Sequence, residues 1–378
     1  MATKARAAGQ TKNSLKGWCP MPNLSVSLWN IYLNHPVMVA AGPPGRDGES
    51  LLACARGGAA ALVTKTISIN AASVPQPNMA DFRTYFLNTE LWSELPLEQW
   101  LETEYSKAKT AGLPMIISLG YTAADIALLA PKVRPYADAV ELSTHYISDD
   151  PRPMQDAIRA AKDSVAVPVL VKLSPFCEIQ RAAQAAQEAN ADGILAVNSF
   201  GPALGIDIEH NGRLWMGGEG YGWISGPALK PIALRAVYDI AQTTDLPIIG
   251  VGGITRGTDV IEFLMAGASA VQVCTAAITK GPTVFGKIAD EMDKWMEKHG
   301  YSCIAEIQGL ALKQPAPKME KEPVIILDNC TGCTVCVTSC VYNALFMKDA
   351  KIHLRTENCA HCGLCLSRCP TGALQMAT

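Results

Sequence analysis

From residue 24 to residue 307, short apolar runs alternate with longer stretches compatible with helices. Eight runs stand out, at 37–41, 60–64, 115–118, 139–142, 169–171, 193–197, 247–251 and 270–273. They are continuous rather than alternating, which is the pattern of parallel strands covered on both faces. Helix-compatible segments lie between them, among them 154–164, 178–189, 228–243 and 258–266. Eight strand–helix units in roughly 250 residues predict an α/β fold, a (β/α)8 TIM barrel. An open doubly wound sheet competes with it, but no Gly-rich dinucleotide turn follows the first run. Ahead of that run Leu24, Val26 and Leu28 alternate with polar residues. This predicts a hairpin capping the bottom of the barrel.

Past the last barrel helix the pattern changes. Residues 309–323 (GLALKQPAPKMEKEP) are rich in proline and charge and read as a linker. Eight of the thirteen cysteines follow, in two matching runs: Cys330, Cys333, Cys336, Cys340 and Cys359, Cys362, Cys365, Cys369. Each run reads C-x2-C-x2-C-x3-C, the spacing that holds two 4Fe-4S clusters, the fourth cysteine of each run reaching the other cluster. One cluster is therefore assigned Cys330, Cys333, Cys336 and Cys369, the other Cys340, Cys359, Cys362 and Cys365. Four disulfides would demand an oxidising compartment. Zinc rarely wants four cysteines packed this densely, twice. Val341 follows Cys340 where Pro370 follows Cys369, a departure that touches no ligand. The expected division is a tail at 1–23, the barrel at 24–308, the linker at 309–323, and a small bacterial-ferredoxin-like α+β domain at 324–378.

A hydrophobic content of 49% in 378 residues is ample for such a core, and a net charge of −3 gives no case for nucleic acid. No apolar run approaches the length of a membrane span. Lys4, Arg6, Lys12 and Lys16 precede no apolar stretch, so residues 1–16 do not read as a signal peptide. A cytoplasmic setting is expected, with Cys19, Cys54, Cys177, Cys274 and Cys303 as reduced thiols.

Barrel active sites gather at the C-terminal ends of the strands. Those ends carry Ala41-Gly42, Lys65, Ser118, Ser143 to Tyr146, Lys172, Asn198-Ser199, Gly252-Gly253 and Cys274-Thr275. Two lysines, an asparagine and a Gly-Gly turn are more than packing needs. The glycines after strand 7 and the amides after strand 8 suit a phosphate site. A salt bridge inside the barrel is the competing role for Lys65 and Lys172.

The order Ala41-Gly42, Thr64-Lys65, Glu141-Leu142, Val171-Lys172-Leu173, Val197-Asn198-Ser199, Ser225-Gly226-Pro227, Gly252-Gly253 and Gln272 to Ala276 resembles the class 1 dihydroorotate dehydrogenases. It is closer still to the catalytic part of the dihydropyrimidine dehydrogenases, which pair an FMN barrel with a two-cluster segment. Residues 86–94 (FLNTELWSE) resemble the substrate-side loop of the latter. The resemblance implies FMN over the barrel mouth, touched by Lys65 and Lys172. Ser118 stands where the family often has an asparagine against the flavin. Ser225, Gly226, Gly252 and Gly253 would pack the ribityl phosphate, and Cys274, through its backbone, and Thr275 would close that site. Asn88, Glu90, Asn198 and Ser199 would face substrate. A homodimer is also implied.

The strand-4 loop departs from the family, where it reads E-L-N-L-S-C-P-N. Here Ser143 and Ser148 replace the two asparagines, and Tyr146 falls on the cysteine that exchanges a proton with substrate, behind His145. Reducing a C=C bond needs a hydride and an acid, so Tyr146 or His145 is the expected donor. Two lost amide partners argue against an ordinary pyrimidine. Residues 212–223, rich in glycine with Trp215, Tyr221 and Trp223, are expected to form either a lid over a flat ring or a surface loop.

The expected protein is an FMN and iron–sulfur oxidoreductase. It reduces a conjugated, cyclic small molecule with electrons from a ferredoxin or an NAD(P)H-oxidising flavoprotein subunit. The rivals are a uracil/thymine-reducing dihydropyrimidine dehydrogenase subunit and an electron-relay flavoprotein.

Overall fold

The computed structural model describes residues 21–143, 150–175 and 178–376. The chain divides into two compact units, 1–313 and 314–378. The first is built on eight parallel strands, β1 (Val37–Val39), β2 (Leu62–Val63), β3 (Met115–Leu119), β4 (Ala139–Leu142), β5 (Val169–Leu173), β6 (Gly193–Ala196), β7 (Ile248–Val251) and β8 (Ala270–Val273). Their hydrogen-bonded order is β1-β8-β7-β6-β5-β4-β3-β2. Ala60 N donates to Val37 O (3.0 Å) and Val39 N to Ala61 O (3.2 Å), which brings the two end strands together. The open doubly wound sheet is thereby excluded.

Side chains alternate across each strand. Val37, Met115, Ile117, Val140, Val171, Ile194 and Val271 pack outward in one core with the helices. Met38, Ile116, Leu170, Leu195, Ile249 and Ala270 form a second core inside the ring. Both faces of every strand are therefore dry, which is why the runs read as continuous rather than alternating. The hairpin of Val26–Leu28 and Ile31–Leu33 plugs the ring's N-terminal end. Its Val26, Leu28, Trp29 and Ile31 pack on the inner core, and Trp29 Nε1 donates to Asp192 O (2.7 Å) just ahead of β6.

Two residues further along β3, β4, β5 and β8, the inward positions turn polar: Ser118, Glu141, Lys172 and Gln272, each 5% exposed or less. Above them lies a four-stranded antiparallel sheet in the order Phe200–Leu204, Tyr221–Ser225, Phe86–Asn88, Met79–Asp81. It is drawn from the segments between β2 and β3 and between β6 and β7. The hydropathy pattern did not predict it, because its strands are short and carry Gly201, Pro202 and Gly222. Tyr221 and Trp223 thus belong to a strand, not to a free loop. Trp215 packs edge-on against Phe82, ring centroids 5.6 Å apart.

Gly309 N donates to Leu264 O (2.9 Å), and a 3-10 turn follows at Leu310–Lys313. The first residues of the expected linker therefore belong to the barrel unit. The second unit pairs Val324–Ile325 with Leu374–Gln375 and Leu345–Lys348 with Lys351–Leu354, all antiparallel. Two five-residue helices, Val335–Ser339 and Leu364–Arg368, complete a duplicated α+β unit around Cys336, Leu345, Ile352 and Leu374.

Candidate active site and metal centres

A cavity of about 790 Å³ opens at the C-terminal ends of the strands. Its wall gathers Ala41, Gly42, Lys65, Asn88, Glu90, Ser143, Lys172, Asn198, Ser199, Ser225, Gly226, Gly252, Gly253, Cys274 and Thr275, all singled out from sequence. Ser118 is not on that wall. It lies beneath, fully buried, sharing a 2.9 Å hydrogen bond with Thr66 Oγ1, and it is Thr66 that reaches the cavity. Tyr146, His145 and Ser148 lie outside the described residues. Of the three aromatics of 212–223, only Trp223 lines the cavity; Tyr221 faces solvent.

Both deep lysines are ion-paired. Lys65 Nζ donates to Glu90 Oε2 and Glu94 Oε2, each at 2.6 Å, while Asn78 donates to Glu90 Oε1. Lys172 Nζ stands 2.6 Å from Glu141 Oε1, a buried ion pair. Glu141 Oε2 accepts from Gln272 Nε2 at 2.7 Å. The salt-bridge role and the cavity role therefore coexist. Stripping one partner from such a pair leaves a buried charge uncompensated, at about 3–5 kcal/mol.

Asn88 ends a strand of the upper sheet. Its Nδ2 donates to Trp223 O (3.0 Å), so the edge of the cavity is tied across two insertions far apart in sequence. Trp92 and Tyr121 meet edge to face on the same wall, centroids 4.7 Å apart. At the opposite end Gly226, Gly252 and Gly253 all have positive φ (74°, 131° and 72°). A Cβ on Gly253 would fall 2.6 Å from Lys230 N and 2.8 Å from Gly226 O, so only glycine brings this backbone so close. Thr275 Oγ1 donates to Ser225 Oγ at 3.0 Å, fixing two hydroxyls beside that turn. Lys280, Nζ on Thr255 O (3.1 Å), lines the same wall. Burial pushes the Cys274 thiol up to about 12 despite Lys172 and Lys65 nearby, so its sulfur stays protonated.

These features fit FMN. The glycine turn and paired hydroxyls could hold a phosphate. The deep end is polar, and Gln272 Oε1 is a buried acceptor without a hydrogen-bond partner among the described residues. Sequence reading gave no role to Thr66, Tyr121, Glu141 or Gln272. The available signal was parity: each of Glu141 and Gln272 sits two places after an inward alanine on a fully buried strand.

In the second unit Cys330, Cys333, Cys336 and Cys369 surround one small cavity, and Cys340, Cys359, Cys362 and Cys365 surround another. The fourth cysteine of each run has crossed to the other set, as the spacing predicts. No three His, Cys, Asp or Glu side chains among the described residues close tightly enough to hold a single ion. A four-iron cubane spreads its ligand sulfurs wider than one ion does, so a ring of thiols around a void suits it. Cys340 and Cys369 thiols are drawn down: partial burial raises them, but backbone N–H groups, with Thr371 at Cys369, outweigh it.

Residues 23–296 match the dihydroorotate dehydrogenase family, and residues 310–373 match the 4Fe-4S dicluster domain. The chain is 37% identical over 302 residues to the dihydroorotate dehydrogenase B (NAD(+)) catalytic subunit of Pyrococcus abyssi, an alignment covering 77% of this chain and 99% of that protein. It is 36% identical over 301 residues to the same-named subunit of Methanothermobacter thermautotrophicus, covering 76% and 98%. These relatives are spanned almost whole, so the rest of this chain has no counterpart in them.

Proposed function

The chain belongs to the dihydroorotate dehydrogenase family, as an FMN and 4Fe-4S oxidoreductase acting on CH–CH groups, and from that premise we propose that it reduces a C=C bond of a conjugated, cyclic substrate. When bound, FMN supplies the hydride, and two 4Fe-4S clusters supply electrons one at a time. Cys330, Cys333, Cys336 and Cys369 hold one cluster, and Cys340, Cys359, Cys362 and Cys365 the other. Gly226, Gly252, Gly253, Ser225 and Thr275 hold the phosphate end of FMN. Lys65, Lys172 and Asn198 meet its ring, with Asn88, Glu90, Ser143 and Ser199 facing substrate. Tyr146 or His145 delivers the proton to substrate carbon. Electrons enter from a ferredoxin or an NAD(P)H-oxidising flavoprotein subunit; the relatives are named as catalytic subunits, which favours a separate partner.

The observation carrying this reading is the conjunction of an FMN-fitted cavity with Ser143 and Tyr146 where the family has asparagine and cysteine. Dihydroorotate–orotate interconversion is a second reading, favoured by the near-complete match to relatives of that name. One assay separates them. FMN-loaded protein, reduced anaerobically through a mediator, is offered orotate, uracil and a panel of conjugated cyclic enones. Reoxidation of the flavin by a panel member, and not by orotate or uracil, is expected. Tyr146→Phe or His145→Gln should then cut turnover by about 10²–10⁴-fold with flavin reduction intact. Ordinary turnover of orotate or uracil, or full rates in both variants, would overturn the proposal.

A further inference from the structure

We propose that Glu141, as the buried counter-charge of Lys172, sets the reduction potential of the bound flavin and fixes the polarity of Gln272 against it; this rests on the FMN reading above. Glu141 has no solvent exposure, and its carboxylate is divided between two partners, Lys172 Nζ at 2.6 Å and Gln272 Nε2 at 2.7 Å. A carboxylate only accepts hydrogen bonds. Gln272 must therefore turn its amide N–H groups toward Glu141. That leaves Oε1, which has no hydrogen-bond partner among the described residues, as the spare atom of a side chain in the cavity wall. A buried acceptor left unpaired is costly, so this wall calls for an N–H donor, which the pyrimidine edge of an isoalloxazine carries.

The charge balance follows from the same contacts. A lone ammonium in this cavity wall would favour the electron-rich reduced flavin. At 2.6 Å in a dry interior, Glu141 cancels most of that field. The remaining deep cation, Lys65, is held by Glu90 and Glu94, and the Cys274 thiol stays neutral. Lys172 is thus matched by one carboxylate and Lys65 by two, so neither ammonium is uncompensated, and the reduced flavin is stabilised less than by lysine alone. Glu141 acts through Lys172 and Gln272 and is a positioning residue.

The test is the flavin midpoint potential of the full chain loaded with FMN, read by anaerobic spectroelectrochemistry. Glu141→Gln keeps the shape and can still accept from Gln272, but it removes the counter-charge. The expected result is a rise of at least about 30 mV, a tenfold shift toward reduced flavin at fixed potential for a two-electron couple. The double variant Glu141→Gln with Lys172→Met removes both charges together and should return the potential toward wild type. A Glu141→Gln protein that holds FMN at the wild-type potential overturns the proposal. If Glu141→Gln alone does not retain FMN, the double variant decides. Restored FMN binding supports charge balance, and its failure overturns the proposal. Wild-type protein that takes up no FMN would instead sink the cofactor reading beneath it.

Discussion

Replacing Gly253 by alanine tests the phosphate cradle most directly. Gly253 has φ +72°, where a residue with a Cβ loses about 1 kcal/mol or more. The new Cβ would lie 2.6 Å from Lys230 N, 2.7 Å from Lys230 Cβ and 2.8 Å from Gly226 O. Two of those three atoms are backbone. Lys230 opens the helix Lys230–Ala241, and Gly226 O accepts from Leu229 N at 3.0 Å, so neither swings aside. Forcing such an overlap costs about 1–3 kcal/mol, for a total of about 2–4 kcal/mol. Gly300 is the matched control: its φ is +75°, and nothing lies within 4 Å of a Cβ built on it. Gly300→Ala carries the backbone cost alone. The assay is a thermal melt beside a fluorescence titration with FMN. At about 2–4 °C per kcal/mol in domains of 150–250 residues, Gly300→Ala loses a few degrees and Gly253→Ala about two to four times as much. Only Gly253→Ala should weaken FMN binding. Equal melting losses with wild-type FMN affinity in both variants would refute the cradle.

The crossed cysteine sets make a second test by iron content. Cys330→Ser and Cys369→Ser should each leave about half the iron, and the two together no less, whereas Cys330→Ser with Cys340→Ser should lose both clusters; complete iron loss from the 330/369 pair would break the assignment. A third test concerns pH. Burial, and then the neighbouring Cys274, push Cys54 up to about 12 from an ordinary value of 9.0. A raised value means the fold keeps a proton that the unfolded chain gives up. The stability this brings is complete below pH 9 and is lost between 9 and 12. Denaturant midpoints of Cys54→Ala should therefore fall less steeply over that range than wild type; parallel slopes would count against it.

The barrel was legible because parallel strands dry on both faces leave an unmistakable mark, eight apolar runs with helices between. The dicluster unit was legible because ligand spacing is geometry written into sequence. The upper antiparallel sheet was not. Phe200–Leu204 and Tyr221–Ser225 hold glycine and proline at positions where strand propensity is poor, and only their pairing across the mouth makes them strands. Ser118 was misplaced for a related reason. A strand end can face the ligand or lie one layer beneath it, and only the position of Thr66 settles which.

Lys65 and Lys172 are at once salt-bridged and part of the cavity wall. A cation 5% exposed or less cannot stand alone in a dry ring, because its desolvation exceeds what packing returns. Each lysine therefore needs a carboxylate, and the carboxylates come from different places. Glu90 and Glu94 reach Lys65 from the insertion after β2, whereas Glu141 reaches Lys172 from the neighbouring strand. The first pair can respond to what binds at the mouth, since Glu90 lines the cavity and Glu94 is nearly half exposed. In the second, Lys172 lines the cavity but its carboxylate, Glu141, has no exposure. A cationic group entering the cavity would therefore compete for Glu90 and Glu94, whereas Glu141 is out of its reach. The same alternation that builds the apolar ring below turns both lysines inward, Lys65 two places after Val63 and Lys172 two places after Leu170, and it is their carboxylates that set them apart.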